Sequence, residues 1–206
     1  MRLLTLLAAS IFLAFSSYSQ IKKSSILPMA DLSMKDVKTD SQKMLKEYKQ
    51  NKGLLVIFSC NTCPFVVGTP DFPGWERQYN DLYEKSKQNS IGMVLINSNE
   101  AKRGKEDSFE EMKNHALEKS YRMPYLLDEN SILANAFEAK TTPHVFLFNS
   151  DLKLVYSGSI DNIWDNKRTE DIPYLVNAMS ALNEGKKIKT SSTPPKGCSI
   201  KRVVKN

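Results

Sequence analysis

Short unbroken apolar runs recur along the chain, separated by segments with helical spacing. The runs are LLVIFS (54–59), IGMVLIN (91–97) and HVFLFN (144–149). Runs this short, without alternation, fit strands buried on both faces, as in a parallel or mixed sheet. Among the helical segments, Trp75, Tyr79, Leu82 and Tyr83 share one face of a helix that Pro70, Pro73 and Gly74 must kink or interrupt. EDSFEEMKNHALEKS (106–120) is a strong amphipathic helix, with Phe109, Met112, Ala116 and Leu117 inward and Asp107 or Ser108 near its cap. NSILANAFE (130–138) begins a helix at Asn130 or Ser131, and EDIPYLVNAMSALNEG (170–185) is a helix stopped by Gly185. DSQKMLKEYKQN (40–51) reads as a short helix capped by Asp40 or Ser41, with Met44, Leu45 and Tyr48 on one face and Gly53 at its end. YLLD (125–128) is a short strand or turn. HVFLFN and LKLVYSGSI (152–160), joined across Asn149–Asp151, make a hairpin. Upstream, Ile26, Leu27, Met29 and Leu32 form a short edge strand or packing arm, since Pro28 argues against a central strand.

The order strand, helix, strand, helix, short helix, hairpin, helix argues for an α/β class: a sandwich with parallel strands at the centre, helices on both faces and a hairpin at one edge. With 206 residues, 41% of them hydrophobic and 25% charged, the chain builds one ordinary core without needing disulfides to hold it. The division expected is a targeting segment at 1–19, one domain at 20–185 and a basic tail at 186–206.

The targeting segment changes the picture most. Arg2 precedes an apolar stretch, Leu3 to Phe15, too short to span a bilayer comfortably, and Ser17 and Ser19 are small residues at the spacing that precedes a cut. Cleavage after Ser19 leaves Gln20 as the new N-terminus. The mature chain is then periplasmic or secreted, with no stable membrane insertion, in a compartment where disulfides form. The net charge of +6 falls to +5 on loss of Arg2. Its lysines are spread along the chain with acids among most of them, which reads as a solvated surface rather than a nucleic-acid interface. RGKEDSFEEMK and SIDNIWDNK hold many acids but no calcium-loop spacing, and read as solvated loops and helix faces.

Of the three cysteines, Cys60 and Cys63 stand as Cys-Asn-Thr-Cys-Pro where a buried strand hands over to a helix. Free N–H groups and the dipole at a helix amino end favour a thiolate over a thiol. On position alone Cys60, at or just before the helix start, is the nucleophile. Cys63, a turn in and deeper, is the resolving thiol, and Pro64 is tolerated in a first turn. Half a zinc site is the competing reading, but it needs a second ligand pair. Cys198 stands alone, His115 reads as a surface or boundary residue in mid-helix and His144 as a packing or hydrogen-bonding residue. A structural staple closing so small a loop removes little unfolded-chain entropy. No metal or cofactor is called for.

With that motif at a strand–helix junction, and TTPHVFLF (141–148) downstream, the chain resembles the thioredoxin-like superfamily. More narrowly it resembles the redoxin branch, related to alkyl hydroperoxide reductase/thiol-specific antioxidant proteins and exported thiol–disulfide proteins. LINSNEAKRGKEDSFEEMKNHALEK, PYLLDENSILANAF, GSIDN and GCSIK (197–201) also look like segments of such proteins. The resemblance implies a three-layer α/β/α sandwich with a mixed central sheet. It implies a cis Thr142–Pro143 bond facing the cysteines, where Thr142 offers its N–H and C=O to an extended partner segment. The long interval from Cys63 to Pro143 implies an added strand–helix unit. The motif departs from relatives in two ways. LLVIFS carries no buried acid to move protons, and the peroxidase threonine three residues before a reactive cysteine is missing: Cys63 is preceded there by Cys60, and Cys60 by Ile57.

The function expected is exported thiol–disulfide exchange with protein disulfides or dithiols, drawing on a thiol electron donor or acceptor. A peroxide-reducing antioxidant and a non-catalytic binding domain are the alternatives. For Cys198 two readings stand: a third redox thiol that exchanges with the pair or bonds another chain, or an unpaired thiol packed under the tail.

Overall fold

The computed structural model describes residues 22–203. The expected export segment and its cleavage point lie outside them. Seven strands form the main sheet: β1 (Ser33–Asp36), β2 (Gln42–Met44), β3 (Gly53–Ser59), β4 (Ile91–Asn97), β5 (Tyr125–Leu127), β7 (His144–Asn149) and β8 (Leu154–Gly158). Their order is β2-β1-β5-β4-β3-β7-β8. β3, β4 and β5 run parallel, while β1, β7 and β8 are each antiparallel to a neighbour. This is the mixed sheet expected, with the β7–β8 hairpin at one edge. A separate two-stranded ribbon pairs β6 (Thr141–Thr142) with β9 (Cys198–Ser199).

The three layers follow from strand geometry. Successive side chains point to opposite faces, and both faces of β3 and β4 are buried. Leu55, Ile57, Met93 and Leu95 pack with Tyr79 and Leu82 of α2 (Tyr79–Gln88), Met112 of α3 (Phe109–Glu118), and Leu175 and Met179 of α5 (Tyr174–Asn183). Leu54, Val56, Phe58, Val94 and Ile96 face the other way, toward Leu133 and Ala134 of α4 (Ile132–Ala136), with Leu27, Phe137 and Phe146. There the Phe137 ring lies edge-on to Phe58, Phe146 and Phe148, with centroids 5.2–5.7 Å apart. Phe137→Ala is expected to cost about 3–5 kcal/mol of stability by the cavity it leaves, read from the denaturant midpoint.

Several local expectations change. Residues 40–51 are not a helix: Gln42–Met44 form β2 and Leu45–Tyr48 a short 3-10 turn. Pairing with β1 (Ser33↔Met44, Lys35↔Gln42) overrides the helical spacing, and Asp36 accepts the Lys38 amide and the Thr39 hydroxyl to close the turn. Leu117 is 77% exposed, since α3 turns only Met112 fully inward. Asp107 and Asp161, expected on solvated loops, are buried. Asp161 accepts the Trp75 indole N–H at 2.7 Å and a Gln78 amide N–H at 2.7 Å, which seats Trp75 in the core.

The tail has no periodicity, yet it is bound to the domain. Ser157 donates its amide to Ser191, and the Thr193 amide donates back to the Ser157 carbonyl. The Thr193 hydroxyl accepts the Ser159 amide at 2.9 Å. Gly158, with φ of +140°, allows this approach, because a Cβ there would lie 2.2 Å from the Thr193 hydroxyl oxygen. Farther on, Ile200 is 5% exposed in the second core, and its amide donates to Lys140.

Candidate active site: three cysteines around Thr142

The Cys60–Cys63 turn closes the carboxyl end of β3. Cys63 is the N-cap of α1 (Pro64–Val67), with Pro64 in the first helical position. This helix is only four residues long. Gly68 and Gly74 end it in backbone that favours glycine (φ +93° and +70°), and a Cβ on Gly74 would lie 2.4 Å from the Val66 carbonyl oxygen. So short a helix has little macrodipole, and the expected source of thiolate stabilisation is largely missing. The relative depth also differs from expectation: Cys60 is 1% exposed and Cys63 5%.

Neighbouring donors take over the role expected of the helix. The Cys60 thiol, the Cys198 thiol, the Cys198 backbone N–H and the Thr142 hydroxyl together bring the Cys63 pKa down to about 5 against the opposing effect of burial. Cys60 moves the other way. Hydrogen bonding to the Cys63 sulfur, burial, and the charges on Cys63 and Asp107 push its thiol well up. Within the coupled pair Cys63 is thus pushed down and Cys60 up, the opposite direction to that expected from chain position. When protonated, Cys63 donates to the Thr142 carbonyl oxygen at 3.2 Å, and ionisation exchanges that bond for these donors. The Thr142 hydroxyl lies 3.1 Å from the Cys60 sulfur.

Thr142 and Pro143 are where the resemblance placed them, against both cysteines, and the Thr142–Pro143 bond is cis. The strand edge offered by Thr142 is not open, however. Antiparallel β9 occupies it, with Thr142 opposite Cys198 and Thr141 opposite Ser199. Cys198 is thus brought to the pair rather than left apart. Its thiol is raised to about 11, first by burial and then by the Cys63 sulfur.

A buried acid also lies near the pair, supplied from outside LLVIFS. Asp107 accepts the Asn61 backbone N–H at 3.0 Å, the Asn97 amide at 2.7 Å and the Asn99 amide at 3.0 Å. The Asn61 side chain donates to the Glu106 carbonyl at 2.8 Å and accepts the Tyr125 hydroxyl at 3.0 Å. Asn99 in turn accepts the Lys201 amide at 2.9 Å. One connected network therefore fixes the cysteine turn and the tail together. A small cavity of about 240 Å³ opens beside the sulfurs, lined by all three cysteines, Thr142, Asn99, Lys102 and Lys201 among others. His115 is a boundary residue against Glu76, and His144 is buried, its Nδ1 accepting the Lys140 amide at 3.2 Å.

A family model named Redoxin matches residues 23–172, which takes in the cysteine pair and the cis proline. The chain belongs to the Redoxin family. Thiol-dependent oxidoreductase or peroxidase-type chemistry is the class of function this membership supports. This redoxin is similar over nearly its whole length to an uncharacterized conserved protein from Geobacillus kaustophilus, at 29% identity and a TM-score of 0.77, covering 93% of this chain and 96% of that one. A hypothetical protein from Sinorhizobium meliloti 1021 is as near, at 28% identity and a TM-score of 0.77, covering 91% and 98%. The peroxidoxin BcpB from Mycobacterium tuberculosis shares the fold at 14% identity and a TM-score of 0.55, covering 79% and 97%. No curated protein matches the chain. The matched residues end at 172, so the strap that carries Cys198 lies beyond the family model.

Proposed function

We propose that this redoxin is an exported thiol–disulfide oxidoreductase in which Cys60 and Cys63 cycle between dithiol and disulfide. The observation that carries the reading is the Cys60–Cys63 pair set against Thr142 beside a small cavity, with the Thr142 hydroxyl 3.1 Å from the Cys60 sulfur and its carbonyl oxygen 3.2 Å from the Cys63 sulfur; neighbouring donors lower the Cys63 pKa, which makes it the attacking sulfur. The Cys63 thiolate attacks a partner disulfide. A bond forms between Cys63 and one partner sulfur, and the other leaves as a thiolate. Cys60 then gives its proton to the departing sulfur and attacks Cys63, releasing the second partner thiol and closing the Cys60–Cys63 disulfide. Two electrons pass from the protein to the partner, and an external thiol donor restores the dithiol. Export to the periplasm or beyond rests on the apolar amino-terminal run and on a redox pair suited to an oxidising compartment.

Peroxide reduction is a second reading, favoured by the small size of the cavity beside Cys63. There the thiolate takes one peroxide oxygen to become a sulfenic acid while the other leaves as alcohol or water. Cys60 then condenses with the sulfenic acid and releases water. Stopped-flow rates with a small disulfide and with hydrogen peroxide, on one reduced sample, separate the two. Cys63→Ser is expected to abolish both reactions. With both Cys60 and Cys198 replaced by Ser, the first attack survives and the mixed disulfide accumulates. Disulfide reduction at the wild-type rate in Cys63→Ser would overturn the proposal.

A further inference from the structure

We infer that Cys198 is a third redox thiol, delivered to Cys63 by a carboxyl-terminal strand that occupies the place of an extended substrate. The inference rests on the Cys60–Cys63 pair being redox-active and adds a partner within the chain.

Three independent features support it. First, β9 lies antiparallel to β6 in the register that sets Cys198 opposite Thr142, so the tail already makes the strand addition expected of a partner. Second, the approach depends on Gly197. A Cβ at that position would lie 2.3 Å from the Thr142 carbonyl oxygen and 3.1 Å from the Pro143 nitrogen, so only glycine lets the tail lie this close. Third, the strand is held from both ends. The Ser159 hydroxyl donates to the Pro194 carbonyl at 2.8 Å on one side, and the Ile200 and Lys201 amides are bonded to Lys140 and Asn99 on the other. This seats Cys198 opposite Thr142, on the cavity that it lines together with Cys60 and Cys63.

The chemistry is a disulfide isomerisation with no net redox change. In the oxidised protein, Cys198 loses its proton and attacks the Cys63 sulfur. The Cys63–Cys198 bond forms as the Cys60–Cys63 bond breaks, and Cys60 leaves as a thiolate that takes up a proton. Oxidation of Cys63 also removes its negative charge, one of the causes that keep Cys198 protonated, while Lys201 continues to favour the Cys198 thiolate. Cys198 is half-buried where Cys60 and Cys63 are buried, so the isomerisation carries the oxidised state toward the surface. With β9 seated, a protein strand cannot add at Thr142, and the acceptors that reach Cys63 directly are small.

The test uses the full-length reduced Cys60→Ser protein oxidised with glutathione disulfide. Cys63 attacks one glutathione sulfur and releases glutathione; Cys198 then displaces the second glutathione from Cys63. Alkylation followed by non-reducing tryptic mapping is expected to yield the 197–201 peptide linked to the peptide bearing Cys63, with two thiols lost and two glutathiones released. Recovery of Cys198 as the alkylated thiol, with Cys63 still carrying glutathione, would overturn the inference. Adding Gly197→Val is expected to slow the linkage by about tenfold or more, because disulfide geometry tolerates little displacement. An unchanged rate would remove the role given to the strand. The pair reading is judged separately in the Cys198→Ser protein, where the Cys60–Cys63 disulfide should still form. If it does not, while the Cys63–Cys198 link forms in the Cys60→Ser protein, the pair reading and the isomerisation fail and only the delivery of Cys198 to Cys63 is left.

Discussion

Alkylation of the reduced protein by iodoacetamide is expected to show a midpoint near pH 5 at Cys63, with Cys60 unreactive until well above neutrality. The midpoint follows from the Cys60 thiol first, and then from the Cys198 thiol and backbone N–H and the Thr142 hydroxyl, that donate to the Cys63 sulfur. At pH 6 an ordinary thiol, pKa ~8.5, is ionised to about 0.3%, whereas Cys63 is ionised to about 90%, a several-hundredfold gain in thiolate. The gain in rate is smaller, about tenfold, because a less basic thiolate is a weaker nucleophile. The midpoint is therefore the sharper measurement, with labelled Cys63 quantified peptide by peptide. Cys198→Ala, which removes the Cys198 thiol and leaves its backbone N–H, should move it upward. A midpoint near pH 8.5 in the wild type would mean that the donors do not act on Cys63.

The second large effect is on stability in acid. His144 opens β7 fully buried, its ring 4.3 Å from that of Phe146, and its Nδ1 accepts the Lys140 amide. Burial, assisted by the Lys140 charge, brings its pKa from 6.5 to about 3. A group held neutral in the fold contributes fully above its unfolded pKa and loses that contribution as pH falls toward the folded one. The window is thus from about pH 6.5 down to 3, and the loss attributable to this one ring is roughly 3–5 kcal/mol across it. His144→Asn keeps an acceptor for the Lys140 amide but nothing that titrates in this window. It should be less stable at neutral pH for want of the ring, and flatter with pH by that amount. Denaturant midpoints measured at intervals from pH 7 to 3.5 check it, and parallel curves for the two proteins would reject it.

The buried strands and the cysteine pair were legible because each leaves a local signature. An unbroken apolar run such as IGMVLIN has little else to be, and two cysteines before a proline at a strand end carry their chemistry in their spacing. What escaped is what depends on distant partners. Asp107 sits in an acidic stretch, and no neighbour in sequence signals that Asn61, Asn97 and Asn99 converge on it. Residues 40–51 have helical spacing, and only the pairing with β1 makes part of them a strand. The tail forms a strand of two residues, too short to leave a period, so the meeting of Cys198 with Cys63 depends on backbone bonds to Thr193, Ile200 and Lys201. The lower pKa of Cys63 was hidden for a related reason: chain position favours Cys60, whereas the Cys60 thiol itself, then Cys198 and Thr142 from farther along the chain, donate to Cys63.

That far end also guards the sheet. β8 is the outermost strand on its side, and residues 191–193 run along it, with Ser192 bridged in parallel to Ser157. A bare edge strand is a template for pairing with other chains. A fragment ending at Gly185, where the last helix stops, would expose that edge and leave an apolar hole where Ile200 had been. Self-association rather than simple loss of activity is the failure such a fragment invites, so a fragment meant to keep the fold has to carry the strap at least to Lys201.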